Sequence, residues 1–346
     1  MVSFRVGVAG ASGYSGAELL RLLAGHADLE VLVATSREFA GKAIADVYPG
    51  LAAYGEDEYT TLDPVALERC DLVFLALPHG ASMDLGARLA SAGVRVVDFS
   101  ADFRLNDPAA YPEWFGGEHT NPGWLGKWIY GLPELRRDEI RGGALVANPG
   151  CYPTAALLAL APLVAARAID VEDVVISAAS GVSGAGRSLS AGSHFSHVDS
   201  NFRAYGFPTH KHVPEIEQEL SRLAGSLVRV TFIPHLVPMP RGLLATCVAP
   251  LVGDHSVAKL TEEARSFYRG EPFVRVLEGM RPETKLASGS NLCLLGYAAD
   301  ERTRNVVAVA AIDNLGKGAA GQALQNANLM LGLPETAGLL GGGVYP

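Results

Sequence analysis

Residues 6–23 read VGVAGASGYSGAELLRLL, and the fold turns on them. Their first residues close an alternating apolar run that begins at Phe4. Gly10, Gly13 and Gly16 then follow at GxxGxxG spacing, and Leu19, Leu20, Leu22 and Leu23 recur at helical intervals. A strand that enters a helix through glycines can turn tightly and bring bare backbone close to a pyrophosphate, whose charge the helix N-terminus favours. The strand-loop-helix context is what separates this use from a ligand-free glycine turn. On that reading Gly10, Ser12, Gly13, Tyr14, Ser15 and Gly16 line a dinucleotide site.

Up to about residue 148, short β-rich runs at Phe4–Ala9, Val31–Ala34, Leu72–Leu77, Val94–Phe99 and Leu145–Asn148 alternate with longer segments, some of helical spacing. This is the pattern of a parallel sheet with crossover helices, an α/β fold. From Val171 onward, runs at Val174–Ala178, Leu227–Ile233, Leu244–Ala249 and Val306–Ile312 are joined mainly by loops, which suggests a second, mixed-sheet domain. Helical spacing returns in Gly318–Gly332.

The loop after the second strand selects the nucleotide. An NAD site places Asp or Glu about 20 residues beyond the last glycine, to bind a ribose hydroxyl. Here that position falls on Ser36, followed by Arg37. A hydroxyl beside a guanidinium suits a 2′-phosphate that a carboxylate would repel, so NADPH is expected over NADH.

Composition narrows the remaining classes. A formal charge of −9, spread along 346 residues, offers no basic footprint for nucleic acid. Cys70, Cys151, Cys247 and Cys293 lie far apart without CxxC spacing, which disfavours a disulfide framework and a zinc site and points to a reducing cytoplasm. Neither an export leader nor an apolar run of membrane-spanning length is expected. A small-molecule partner fits better than nucleic acid or membrane.

One cysteine stands apart. In NPGCYPT, residues 148–154, Asn-Pro-Gly makes a turn and Pro153 fits a first helical turn, where its missing N–H costs nothing. Cys151 then opens a helix whose backbone N–H groups favour thiolate over thiol by roughly 0.3 to 2 kcal/mol. The other three cysteines have apolar surroundings and read as small buried hydrophobes. A base for the thiol is available in HKHVPE, where His210, His212 and Glu215 crowd together before a helix. Imidazole near neutral pH can take the thiol proton and return one later. A capping or structural role for either histidine is the alternative, and no further ligand lies close enough in sequence to make a metal site.

Taken in order, GASGYSGAELLRLL, LALPHG, DFSADFRL, YGLPEL, NPGCYPTA, SGVSGAGR, HKHVPEI, PHLVPMPRG and AIDNLGKGAAGQALQ resemble the N-acetyl-γ-glutamyl-phosphate reductase family, relatives of aspartate-semialdehyde dehydrogenase. The resemblance runs over essentially the whole chain. It implies NADPH-dependent reduction of an acyl phosphate to a semialdehyde through a cysteine thioester, in arginine biosynthesis. It also implies an NADP-binding Rossmann domain over 1–150, a catalytic and dimerisation domain over 151–314, and a C-terminal segment, 315–346, whose helix returns to the first domain. Cys151 matches the family nucleophile, and the histidines of HKHVPEI match the base, with His212 favoured and His210 second. Arg104 looks like the phosphate-gripping arginine, with Asn148, Arg187 and Glu215 as further substrate-binding candidates and Arg187 aimed at a carboxylate. Ser183, Gly184, Gly186, Asn314 and Lys317 are similar to positions around the nicotinamide. By analogy the assembly is a homodimer or homotetramer.

Two other readings share parts of this pattern. One is a reductase of carrier-protein-linked aminoadipyl or glutamyl phosphate in lysine biosynthesis, which would depart from NPGCYPT and SGAGR. The other is a non-catalytic NADPH-binding regulator, which would have lost its Cys, His or Arg.

Overall fold

The computed structural model describes residues 3–253 and 255–345. Two compact units divide the chain. One comprises the residues up to Pro149 together with Ala319–Gly341; the other comprises Gly150–Gly318 and the last residues from Gly342.

The first unit is built on six strands, β1 (Phe4–Ala9), β2 (Leu29–Ala34), β3 (Leu72–Leu75), β4 (Arg95–Asp98), β5 (Ile129–Tyr130) and β6 (Leu145–Ala147). All neighbours are parallel, in the order β2-β1-β3-β4-β6-β5. Strands covered on both faces lose the alternation of a half-exposed strand. Val6, Val8 and every residue of Leu72–Leu75 are accordingly without solvent exposure. Order reverses between β1 and β3, which makes the crevice beyond their carboxyl ends a topological switch point. Helix α1 (Tyr14–Leu23) leaves from that crevice.

Gly321–Met330, here α2 of this unit, is buried along its whole length although it carries Gln322, Gln325, Asn326 and Asn328. Buried amides need partners, and each has one within the unit. Gln322 and Asn326 donate to the Gly131 carbonyl, Gln325 donates to Glu335, and Asn328 donates to the carbonyls of Glu335 and Ala337.

Seven strands form the second sheet: β7 (Val174–Gly181), β8 (Arg203–Ala204), β9 (Val230–Val237), β10 (Leu243–Pro250), β11 (Val274–Val276), β12 (Cys293–Asp300) and β13 (Asn305–Ile312). Their order is β11-β12-β13-β10-β7-β9-β8, with parallel and antiparallel pairs mixed. In β10, Leu243, Ala245, Cys247 and Ala249 are buried while the residues between them are half-buried, so one face is covered and the other is not. The helix Cys151–Ala165 is buried from Tyr152 to Val164. Pro162 inside it cannot donate to the Leu158 carbonyl, and the Tyr268 hydroxyl does so instead at 2.7 Å.

The strand expected at Leu227–Ile233 lies at Val230–Val237. β9 runs on through Pro234 beside the two-residue strand β8, and the Pro234 carbonyl accepts the Tyr205 N–H.

Candidate active site

In the first unit the chain leaves β1 at Gly10, whose φ of +80° belongs to the left-handed region. A Cβ there would stand 2.4 Å from the Ala76 carbonyl oxygen, so only glycine lets this loop lie against the end of β3. A Cβ on Gly16 would meet the Gly10 oxygen at 2.5 Å and the Ala11 Cα at 2.7 Å, so glycine here seats α1 on its own loop. Gly13 is different. Its Cβ would find only the Gly10 oxygen, at an ordinary 3.5 Å. Bare backbone is therefore presented to the crevice at the N-terminus of α1, which no side chain caps. These residues fit a dinucleotide pyrophosphate at the switch point.

Ser36 is buried. Its Oγ lies 2.7 Å from Ser12 Oγ and accepts the Phe39 N–H at 3.0 Å, tying the glycine loop to the loop after β2. Arg37 beside it is exposed. The hydroxyl shapes the loop and the guanidinium faces solvent.

Arg104 is buried, and its guanidinium donates to two carbonyls, Asn148 at 2.8 Å and Phe99 at 2.7 Å. Asn148 donates to the Ala319 carbonyl and accepts from Asn326. Both candidate substrate residues thus brace the ends of β4 and β6. Beneath them, Asp102 accepts the Gly80 and Ser82 N–H groups and pairs with His79. Burial opposes its ionisation, but the hydrogen bonds from His79 and the backbone outweigh burial and hold its carboxyl below the usual range. Asp98 shows the opposite balance: complete burial, aided by the Asp102 charge, pushes it up to about 6 against the hydrogen bonds from Ser100.

In the second unit Cys151 is the first residue of its helix, half-buried, with Gly150 as an extended N-cap and no capping side chain. The Gly150 N–H donates to Glu215 Oε1 at 2.8 Å. Glu215, only 1% exposed, thus sits against the turn that presents the cysteine. On another side the missing side chain of Gly318 matters, because a Cβ there would lie 2.8 Å from Cys151 Cβ. Gly318 belongs to a single π-helical turn, Gly316–Ala320, a rare form that is frequent at functional sites. The other cysteines are buried; burial pushes the Cys70 thiol up to about 11 and the Cys247 thiol up to about 12.

The two histidines sit in one aromatic cluster, with ring centroids 4.8 Å apart. His210 accepts the His212 backbone N–H on Nδ1 at 3.2 Å. Burial, with the Lys211 charge adding to it, pushes His210 down to about 4, so its imidazole is neutral. His212 is buried at the N-cap of Val213–Ala224, with its ring 5.8 Å from the Tyr152 ring. Tyr152 donates to the His235 carbonyl and receives the Tyr205 hydroxyl at 3.2 Å. Burial pushes Tyr205 up to about 12.

Asn314 donates to Ser183 Oγ at 2.8 Å and accepts the Gly242 N–H at 2.8 Å, locking two loops together. Gly184 and Gly186 are exposed, Arg187 is half-buried on the same loop, and Lys317 is fully buried with Nζ 5.8 Å from the Phe273 ring centroid. Sequence reasoning missed Asp313, Arg241 and Gly318. All three stand in motifs it quoted, but the Arg241–Asp313 and Gly318–Cys151 contacts join far-separated segments. Among the described residues no group of His, Cys, Asp or Glu could hold a metal ion, and no helix is long and apolar enough to cross a membrane.

Two family models match the chain. Residues 5–143 match the NAD binding domain of semialdehyde dehydrogenase, and residues 151–314 match the semialdehyde dehydrogenase dimerisation domain. The fold is that of aspartate semialdehyde dehydrogenase II of Vibrio cholerae, at a TM-score of 0.72, 17% identity, and coverage of 96% of this chain and 99% of that one. The Candida albicans aspartate semialdehyde dehydrogenase, solved with NADP, gives a TM-score of 0.69 at 17% identity over 95% of this chain and 98% of that one. Curated relatives are much nearer in sequence. A protein of Symbiobacterium thermophilum named N-acetyl-gamma-glutamyl-phosphate reductase is 52% identical over 100% of both chains. One of the same name from Pelotomaculum thermopropionicum is 49% identical, also over 100% of both. With such identity along its full length, an uncapped helix opened by Cys151 and a glycine loop at a sheet switch point, this chain belongs to the N-acetyl-gamma-glutamyl-phosphate reductase family.

Proposed function

We propose that this protein reduces N-acetyl-L-glutamyl 5-phosphate with NADPH to N-acetyl-L-glutamate 5-semialdehyde and phosphate, through a thioester on Cys151. The observation that carries the reading is the setting of Cys151: a half-buried thiol at the uncapped start of an otherwise buried helix, with Glu215 bound to the preceding residue. Helix N–H groups favour the thiolate and then the oxyanion that forms when sulfur adds to the acyl carbonyl. Phosphate leaves as the C–S bond replaces the C–O bond, its charge directed toward Arg104. NADPH, when bound, supplies the hydride that brings the acyl carbon to the aldehyde level. His212 takes the thiol proton at the outset, gives a proton to the oxygen of the reduced adduct, and takes it back as the C–S bond breaks, the sulfur leaves as thiolate and the aldehyde is released. His210, held neutral and bound to the His212 N–H, positions it. Arg187 supplies positive charge for the substrate carboxylate, and Asn148 braces the turn before Cys151.

Gly10, Gly13 and Gly16, with the backbone of Tyr14 and Ser15, would hold the pyrophosphate. Ser12 and Ser36 fix the loop that lets Arg37 meet the 2′-phosphate. Ser183, Gly184, Gly186, Asn314 and Lys317 would frame the nicotinamide end.

The protein is a homo-oligomer of the semialdehyde dehydrogenase type. A dimer formed by the uncovered face of the seven-stranded sheet is the reading we favour, because Val175, Leu244, Val248, Val307 and Val309 leave it apolar and half-exposed. A reducing cytoplasm suits the four free cysteines.

The test runs the reaction backwards. N-acetyl-L-glutamate 5-semialdehyde should reduce NADP⁺ only when inorganic phosphate is present, and Cys151→Ser should abolish this while keeping NADPH binding. Turnover without phosphate, or a near-normal Cys151→Ser enzyme, would refute the assignment.

A further inference from the structure

Arg241 stands in the PMPRG motif, and the proposed chemistry gives it no role. Its turn is unusually constrained. The Val182 N–H donates to the Met239 carbonyl at 2.9 Å, the Ser183 N–H to the Pro240 carbonyl at 3.3 Å, and the Gly181 N–H to the Gly242 carbonyl at 2.9 Å. Asn314 closes the other side by accepting the Gly242 N–H. Gly181 has to be glycine for this, since a Cβ there would lie 2.7 Å from the Met239 oxygen and 3.1 Å from the Arg241 nitrogen. The turn that carries Arg241 is thus bolted to the SGVSG loop.

Its side chain is held as well. One guanidinium nitrogen lies 3.3 Å from Asp313 Oδ2, while 33% of the side chain is open to solvent. Asp313 has no exposure, and its oxygens also accept the N–H groups of Leu315, Gly316 and Gly289. Such a carboxylate acts as a rigid mount rather than a surface partner. The same residue also holds the glycine that packs against the nucleophile. The Asp313 carbonyl accepts the Gly318 N–H at 2.9 Å, and it lies 3.2 Å from the point where a Gly318 Cβ would stand, itself 2.8 Å from Cys151 Cβ.

We infer that Arg241, mounted on Asp313, binds the α-carboxylate of the substrate and is the residue that makes the enzyme require it. The inference rests on the reductase reading and deepens it: the two-point contact to the carboxylate falls to Arg241, and Arg187 contributes positive charge nearby. A planar guanidinium matches a carboxylate with two parallel hydrogen bonds, and pre-fixing it removes much of the ordering cost. Asp313 is a positioning residue, because it acts only through the arginine.

The experiment compares N-acetyl-L-glutamate 5-semialdehyde with its α-carboxamide in phosphate-dependent NADP⁺ reduction, using wild type, Arg241→Gln and Arg241→Lys. Wild type should prefer the carboxylate by about tenfold to a hundredfold in kcat/KM. Arg241→Gln should lose that preference by raising KM for the carboxylate substrate alone, leaving turnover of the carboxamide and KM for inorganic phosphate within about twofold of wild type. Arg241→Lys, which keeps the charge but not the fork, should fall between and covers the case in which the glutamine variant does not fold. An Arg241 with only a structural role would lower both substrates together; that outcome, or a selective rise in KM for phosphate, overturns the inference. A wild type inert toward both aldehydes would instead overturn the reductase reading.

Discussion

Gly318 and Cys151 are in register so close that a single methyl group on Gly318 would lie 2.8 Å from Cys151 Cβ. The backbone of the π-helical turn therefore fixes where the sulfur can point. Gly318→Ala should displace the thiol, and a shift of about 1 Å at a reacting centre can cost on the order of a hundredfold in rate. The expected result is kcat reduced about tenfold to a hundredfold with the dissociation constant for NADPH within about twofold of wild type, read by steady-state kinetics and fluorescence titration.

The histidines separate by role. His212→Asn should lower kcat/KM by about 10² to 10⁴, the range for a lost general acid-base group, and flatten one limb of its pH profile. His210→Asn should cost less, because an amide oxygen can still accept the His212 N–H that His210 Nδ1 now takes at 3.2 Å. Equal losses and unchanged profiles in both would contradict this division.

Arg37 should discriminate between nucleotides. Arg37→Ala removes an exposed cation without disturbing the buried Ser12–Ser36 contact. KM for NADPH should rise about tenfold or more, while KM for NADH stays within about twofold. Parallel changes for both nucleotides would mean that this loop does not meet the 2′-phosphate.

Asp98 gives the fold a pH dependence of known sign. Its carboxyl is pushed up to about 6 in the folded state, first by burial and then by Asp102. A folded pKa above the unfolded one contributes stability that is full below about pH 4 and is lost as pH rises through about 6. Asp98→Asn carries no such proton. Relative to wild type, the variant should therefore gain stability between pH 4 and 7, by at most about 3 kcal/mol, on top of a constant cost from altered hydrogen bonds to Ser100. Chemical unfolding at several pH values measures this difference, and a gap that does not change with pH would contradict it.

How far the sequence could be read depended on distance along the chain. The glycine loop was legible because its whole argument lies within Val6–Leu23, and the same holds for the Cys151 turn. The first sheet was legible because strands buried on both faces are continuous apolar runs. By contrast β12, CLLGYAAD, carries Gly296 in its middle, where Pro282 packs within 2.8 Å of the missing Cβ, and this interrupts the β pattern. β5 has two residues, too few to show a period. At the site, Arg104 could be recognised as a cation, yet its bonds to Phe99 and Asn148 depend on backbone carbonyls that no side-chain pattern announces. Arg241 meets Asp313 through the pairing of β10 with β13, and Gly318 meets Cys151 across more than 160 residues of chain, so both contacts belong to the tertiary structure.

The central claim is that sulfur of residue 151 carries the acyl group. Mixing the enzyme with freshly made N-acetyl-L-glutamyl 5-phosphate in the absence of NADPH, quenching in acid and mapping the peptides tests it most directly. The account predicts one N-acetylglutamyl group on the peptide containing Cys151, released by hydroxylamine, together with one phosphate freed per active subunit. Full turnover of the same preparation with NADPH, but no adduct on Cys151 and no phosphate burst without it, would contradict the account.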